Sequence, residues 1–217
     1  INELQVWVDG TNKVQDDFVV DPTNSFILTG SSASLTDTKT TNVLTLTGTP
    51  TFDTNGVHLT GTQYITIPQE ILGFGTGDFT ISLWVESNST FNSEYQPLIS
   101  LGYNDTSSCL LAINKSGGYT GQDTNEVYWL ESHNSSNQLE SNFIYTNDSV
   151  THNFLITKKG TTFKLFIDGV EKATNTRTLS FPDVNYHIGY SLPENNGTQY
   201  LHGKVKRLDI WKGTGFD

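Results

Sequence analysis

The sequence is short of most of the residues that would hold it together by means other than packing. It has one cysteine, no methionine, three alanines and six prolines in 217 residues. A lone Cys109 excludes an internal disulfide, so sheet packing or a bound ion must stabilise the fold. Scarce Ala and absent Met remove favourable helix formers, which argues against a helical domain. No apolar run approaches the roughly 18 residues that a membrane-spanning helix needs, so no membrane insertion is expected. Bases are also few: 12 Lys and Arg face 23 Asp and Glu, a formal charge of −11. The deficit is steepest in residues 1–100, where two lysines face eleven acids; residues 101–217 hold ten bases and twelve acids. Such a field repels phosphate backbones, which excludes nucleic acid and anionic membrane surfaces as partners. Lacking an initiator methionine, the sequence reads as a mature or excised segment.

What is abundant points to strands and turns. Thr (31), Ser (19), Asn (19) and Gly (19) supply about two-fifths of the residues. Thr favours strands, whereas Asn, Ser and Gly favour turns. Aromatics at 12% are enough to build a core, so a disordered chain is excluded.

Short alternating segments recur every ten to fifteen residues between turn clusters, the pattern of an antiparallel sandwich or barrel. The first is Leu4–Val8, and a Ser- and Thr-rich stretch at 31–42 reads as a surface loop. Asp78-Phe79-Thr80-Ile81-Ser82-Leu83-Trp84-Val85 alternates most cleanly, with Phe79, Ile81, Leu83 and Val85 on one face. Phe163–Ile167 followed by Asp168-Gly169 predicts a hairpin. Cys109 shares a face with Leu111 and Ile113 and reads as a buried thiol. There is no internal repeat and no dividing linker, so residues 1–217 are read as one all-β domain of two packed antiparallel sheets.

The order of these segments resembles a known family. Gly56-Val57-His58-Leu59-Thr60-Gly61 with Tyr64-Ile65-Thr66-Ile67-Pro68 is similar to the opening of laminin-G-like, concanavalin-A-like jelly rolls. Asp78–Val85, Pro97–Gly102, Phe163–Val170, His187-Ile188-Gly189 and Leu201–Trp211 follow in that family's order. The resemblance implies a jelly-roll sandwich whose first and last strands, Leu4–Val8 and Leu208–Trp211, are neighbours. Gly73–Ile81 and Ile210–Gly215 further resemble jelly-roll domains of phage and virus structural proteins, which implies a virion-surface or extracellular adhesin setting, with other subunits as partners.

The same superfamily includes laminarinase-type glycoside hydrolases with Glu-x-Asp-x-x-Glu on one strand. Glu126-Val127-Tyr128-Trp129-Leu130-Glu131 keeps the outer spacing but has Tyr128 in place of the central Asp. Retaining hydrolysis needs two carboxyls about 5–5.5 Å apart, and residues five apart on a plain strand face opposite ways, so no enzymatic activity is expected. The five histidines are scattered without a zinc-binding spacing. Calcium, which the superfamily binds at the sheet rim, is the expected ion, with Asp105, Asp123 and Asn125 as candidate oxygen ligands.

Aromatics beside short polar side chains suit sugars, which offer apolar faces and hydroxyl edges. The candidate ligand-binding set is Tyr103, Asn104, Asp105, Tyr128, Trp129, Glu131, His133 and Tyr190; Glu194, Asn195 and Tyr200 lie near the last of these. The expected function is therefore a non-catalytic module recognising a glycan or another cell-surface receptor. The alternative is a structural virion domain that binds other virion proteins and no sugar.

Overall fold

The computed structural model describes residues 5–8, 11–14, 21–29, 35–87, 95–101, 109–114, 126–131, 138–144, 150–178, 181, 184–191 and 199–216. The strands in chain order are β1 (Gln5–Val8), β2 (Thr11–Val14), β3 (Asn24–Ile27), β4 (Thr45–Thr47), β5 (Thr51–Asp53), β6 (Gly56–Thr60) and β7 (Tyr64–Ile67). A single helical turn, α1 (Gln69–Leu72), leads to β8 (Phe79–Ser87), β9 (Tyr95–Leu101), β10 (Cys109–Asn114), β11 (Glu126–Glu131) and β12 (Gln138–Ile144). The rest are β13 (His152–Lys159), β14 (Thr162–Ile167), β15 (Val170–Thr176), β16 (Tyr186–Ile188), β17 (Tyr190–Ser191), β18 (Gln199–Tyr200) and β19 (His202–Lys212).

Fifteen of them form two antiparallel sheets packed face to face, the expected sandwich, and β1-β2 and β17-β18 are separate two-stranded pairs. The first runs β15-β14-β13-β8-β19-β6-β5, with β3 also on β19; the second runs β12-β11-β10-β9-β16-β7-β4. Strand β8 is central to the first sheet, pairing β13 from Lys158↔Phe79 to His152↔Val85 and β19 from Lys212↔Phe79 to Gly203↔Ser87. Its inner row, Phe79, Ile81, Leu83 and Val85, is at most 1% exposed. That row meets Ile65, Ile67, Ile99, Leu111, Ile113, Val127 and Ile188 of the second sheet in one continuous core. At one end Phe79 stacks on Phe74 at 4.3 Å and takes the edge of Phe181 at 5.1 Å. The Asp168-Gly169 hairpin forms as read, both residues having positive φ (51° and 77°), which is the type I′ geometry that matches strand twist.

On the outer face of β8, Thr80 and Ser82 are polar yet buried, while Trp84 and Glu86 are partly exposed. Thr80 bonds Thr157, Asn153 bonds Ser82, and Ser25 bonds Asp209. The C-terminal segment covers part of this face, with Phe216 N–H donating to Thr157 Oγ1 at 2.7 Å and its ring edge-on to Trp211. Trp211 therefore packs outside the sandwich, under Phe216, rather than between the sheets.

One expected neighbour relation is overturned. Strand β1 pairs with β2, from Gln5↔Val14 to Val8↔Thr11, and the strand beside Leu208–Ile210 is β3. The reason is local chemistry in a stretch too polar to read as a strand. Asn24 and Ser25 are both 3% exposed, and Asp37 holds them: its carboxylate accepts from Asn24 Nδ2, from Ser25 N–H at 2.8 Å, from Lys39 N–H at 2.9 Å and from Thr40 Oγ1 at 2.6 Å. Ser25 Oγ in turn donates to Asp209 of β19, which Arg207 pairs at 2.7 Å. Residues 35–42 thus form a surface turn anchored by one buried carboxylate.

Burial alone would raise the Asp37 carboxyl, but its four hydrogen bonds outweigh that and hold it below the ordinary value of 3.8. The ionised form is therefore favoured by folding, so its contribution is complete above pH 3.8 and is lost as pH falls through the lower folded value. Asp37→Ala leaves several buried donors unpaired and is expected to cost about 2–4 kcal/mol in urea denaturation at pH 7. A loss below about 0.5 kcal/mol, the usual effect of a surface substitution, would show that Asp37 does not anchor β3.

Candidate functional site

The outer face of the second sheet carries an aromatic cluster at the end where β17 and β18 fold back. Alternation in β7 buries Ile65 and Ile67 completely and so turns Tyr64 and Thr66 outward. In β16, Tyr186 and Ile188 are buried and His187 lies outward beside Thr66, with Nδ1 3.3 Å from Thr66 Oγ1. The chain then leaves β16 through Gly189, whose φ is +78°. Its N–H donates to Leu98 O at 3.2 Å and its carbonyl accepts from Leu201 N–H at 2.9 Å, which pins the bend between two strands. Beyond it, Tyr190 pairs Tyr200 and Ser191 pairs Gln199.

This bend lays Tyr190 on Tyr64, with ring centroids 4.5 Å apart and planes 18° from parallel. Tyr200 sits 5.4 Å from Tyr190 and 6.5 Å from Tyr64. His187 presents its edge to both, at 5.2 Å from Tyr64 and 5.3 Å from Tyr190. All four rings are half-buried, so each keeps an exposed portion. Pairs of this kind contribute about 0.5–1.5 kcal/mol each beyond the area they bury, which makes the cluster a preformed surface.

Burial acts on the titration of two members of the cluster. Burial, followed by the neighbouring Tyr200 and Tyr64 phenols, raises the Tyr190 phenol above its ordinary value of 10.0. Burial also lowers the His187 imidazole below 6.5. What results is a set of flat apolar faces bordered by phenol hydroxyls, the Thr66 hydroxyl and a neutral imidazole. Such a surface can stack a ring and exchange hydrogen bonds with its substituents. Chemistry on a ligand would need a charged or orienting partner, and among the described contacts of His187 and Thr66 there is no carboxylate.

Of the residues expected to bind ligand, only Tyr190 has a described side chain. Tyr103, Asn104, Asp105 and His133 lie outside the described residues, as do Glu194, Asn195 and the candidate metal ligands Asp123 and Asn125. Tyr128, Trp129 and Glu131 have described backbone positions in β11, opposite Ala112, Leu111 and Cys109; their side chains, like that of Cys109, lie outside the description. Among the described residues no group of three His, Cys, Asp or Glu could hold a metal ion. The pairing of β11 with β10 runs unbroken from Ile113↔Val127 to Cys109↔Glu131. The unbroken span covers Val127–Glu131, and the shift in register against β12 falls between Glu126 and Tyr128.

Four members of the cluster fall outside the expected ligand-binding set: Tyr64, Thr66, His187 and Tyr200, the last singled out only as a neighbour of Tyr190. A sequence signal existed: Tyr64 and Thr66 flank buried Ile65, and His187 sits between buried Tyr186 and Ile188, so period two places all three outward. Nothing local reveals that the three strands meet.

Fold and cluster together define an antiparallel sandwich with an aromatic surface on one sheet. The profile of the concanavalin A-like lectin/glucanases superfamily matches residues 59–214, and the chain belongs to this family. No curated protein matches it in sequence. Among solved structures it is similar to domain 4 of AbnA, a GH43 extracellular arabinanase from Geobacillus stearothermophilus solved with arabinotriose, at 15% identity and TM-score 0.66, over 90% of this chain and 94% of that one. It is also similar to the CBM40 of the Ruminococcus gnavus IT-sialidase bound to α2,3 sialyllactose, at 15% identity and TM-score 0.57, over 75% and 92% of the two chains. A third is botulinum neurotoxin type C, in a structure whose subject is cell entry through two ganglioside molecules (14% identity, TM-score 0.60, 89% of this chain and 48% of that one). At these identities the likeness establishes the fold.

Two outcomes test the geometry. A Cβ at Gly189 would lie 2.5 Å from Leu59 Cδ1 and would impose the left-handed region on a side chain. Gly189→Ala is therefore expected to cost about 2–4 kcal/mol, read as a lowered urea midpoint, and an unchanged midpoint would contradict the bend. A histidine held neutral by burial leaves the unfolded chain to take up the proton first, so its share of stability falls as pH drops below about 6.5. His202 is lowered in the same way. His187→Asn should thus flatten part of the decline in melting temperature between pH 7.5 and 5.5; an unaltered slope would show that His187 titrates freely.

Proposed function

We propose that the chain is a non-catalytic carbohydrate-binding module that holds its ligand on the Tyr64–Tyr190–Tyr200 surface, with Thr66 and His187 as polar partners. The observation that carries this reading is the stacking of Tyr190 on Tyr64 across the Gly189 bend. A sandwich has no folding need for three half-exposed tyrosines gathered on its outer face, whereas a sugar ring needs a flat apolar face beside hydroxyl-binding groups. The family supports the reading, since the similar structures include one solved with arabinotriose and one bound to sialyllactose. Tyr128 in place of the central carboxylate of the hydrolase motif supports a binding role over a hydrolytic one. The proposed setting is an extracellular or virion-surface protein with a glycan-bearing receptor as partner. Calcium, if used, would act through Asp105, Asp123 and Asn125, separately from the tyrosine surface.

A glycan array followed by calorimetry on the best hit tests this directly. Tyr190→Ala and Tyr200→Ala should each weaken binding at least about tenfold, or 1.4 kcal/mol, in variants that stay folded with melting temperatures lowered by the ring pairs they lose. Binding should survive chelation of calcium. Loss of binding on chelation, with both variants unaffected, would move the site to Asp105, Asp123 and Asn125.

A further inference from the structure

The fold sorts charge between its two sheets. Eight of the twelve bases lie in the first sheet: Lys158 and Lys159 in β13, Lys164 in β14, Lys172 in β15, and Lys204, Lys206, Arg207 and Lys212 in β19. The seven strands of the second sheet contain no Lys or Arg, and their only formal charges are Glu126, Glu131 and Glu140, in β11 and β12. The strands that build or flank the tyrosine surface, β4, β7, β9, β16, β17 and β18, carry no Asp, Glu, Lys or Arg at all.

From this placement we infer that the tyrosine surface selects uncharged glycans and rejects those bearing a carboxylate, such as sialylated or uronate-containing chains. The inference rests on the glycan-binding reading above and narrows its ligand class. A carboxylate brought against these rings would lose hydration without gaining an ion pair from any of the strands that build or flank them, and it would enter the field of a chain with net charge −11. A neutral sugar incurs neither cost. The groups available to it are the hydroxyls of the tyrosine stack and of Thr66 and the half-buried His187 imidazole, all suited to sugar hydroxyls. Five of the eight bases of the first sheet are already engaged: Lys204 and Lys206 share Glu86, Lys164 pairs Glu171, Arg207 pairs Asp209, and Lys158 is buried against the Thr76 and Gly77 carbonyls.

Matched soluble probes test the inference on the whole chain. Lactose and α2,3-sialyllactose differ by one acidic sugar, and neutral arabinotriose can be set against trigalacturonate. Calorimetry is run at low and at physiological salt, with the parent chain and Tyr190→Ala. The expected result is binding of at least one neutral probe, lost at least tenfold in Tyr190→Ala. Its acidic counterpart should bind at least tenfold more weakly, with a gap that narrows as salt screens the repulsion. An acidic probe that binds as tightly as its neutral partner and is lost in Tyr190→Ala would overturn the inference while leaving the tyrosine site standing. Binding of either class that Tyr190→Ala leaves unchanged would overturn the site itself, and with it the inference. Silence from every probe would count against both.

Discussion

The molecule is organised by β8, which lies between β13 and β19, with its inner row buried and its outer row buried at Thr80 and Ser82. Its inner row from Phe79 to Val85 must face apolar residues, and period-two alternation then forces Thr80, Ser82 and Trp84 to the other side. A one-residue slip against either neighbour would put hydroxyls into the core, so the register of three strands is fixed together. The second sheet is positioned by packing onto that row. From there β7 and β16 inherit their outward residues, and the Tyr64, Thr66 and His187 positions follow without any further choice.

Polar burial does the remaining structural work. The outer face of the first sheet uses hydroxyl, amide and carboxylate groups that find partners in one another, and the Asp37–Ser25–Asp209 chain draws β3 onto β19. Interiors tolerate such groups when every one is paired, which explains how a chain so rich in Thr, Ser and Asn closes without disulfides. The surface that results is unequal. Bases gather on the first sheet, while the half of the second sheet around Tyr190 is free of charge.

Much of the sandwich was legible in the sequence because it depends on alternation. The β8 segment, the Asp168-Gly169 turn and the strands at Tyr64, Tyr186 and Leu208 are each marked by local pattern. Strand β3 was not legible, since Asn24 and Ser25 become strand residues only when Asp37, twelve or more positions away, accepts their hydrogen bonds. The neighbour of the last strand was mistaken for the same reason: the pairing is decided by a tertiary contact. Of the site, Tyr190 was legible as an aromatic among polar residues. Its partners were not, because the stack joins β7 to β17 across more than a hundred residues and depends on one glycine with φ of +78°. The candidates in 102–108, 115–125 and 132–137 lie outside the described residues and stand as expectations.

The most direct measurement is a crystal structure of the chain with a bound neutral oligosaccharide. A sugar ring seated against Tyr190 and Tyr200, with hydroxyls within hydrogen-bond reach of Thr66 or His187, is the predicted result. A sugar held instead by Tyr103, Asp105 or Asp123, with the tyrosine stack untouched, would contradict it.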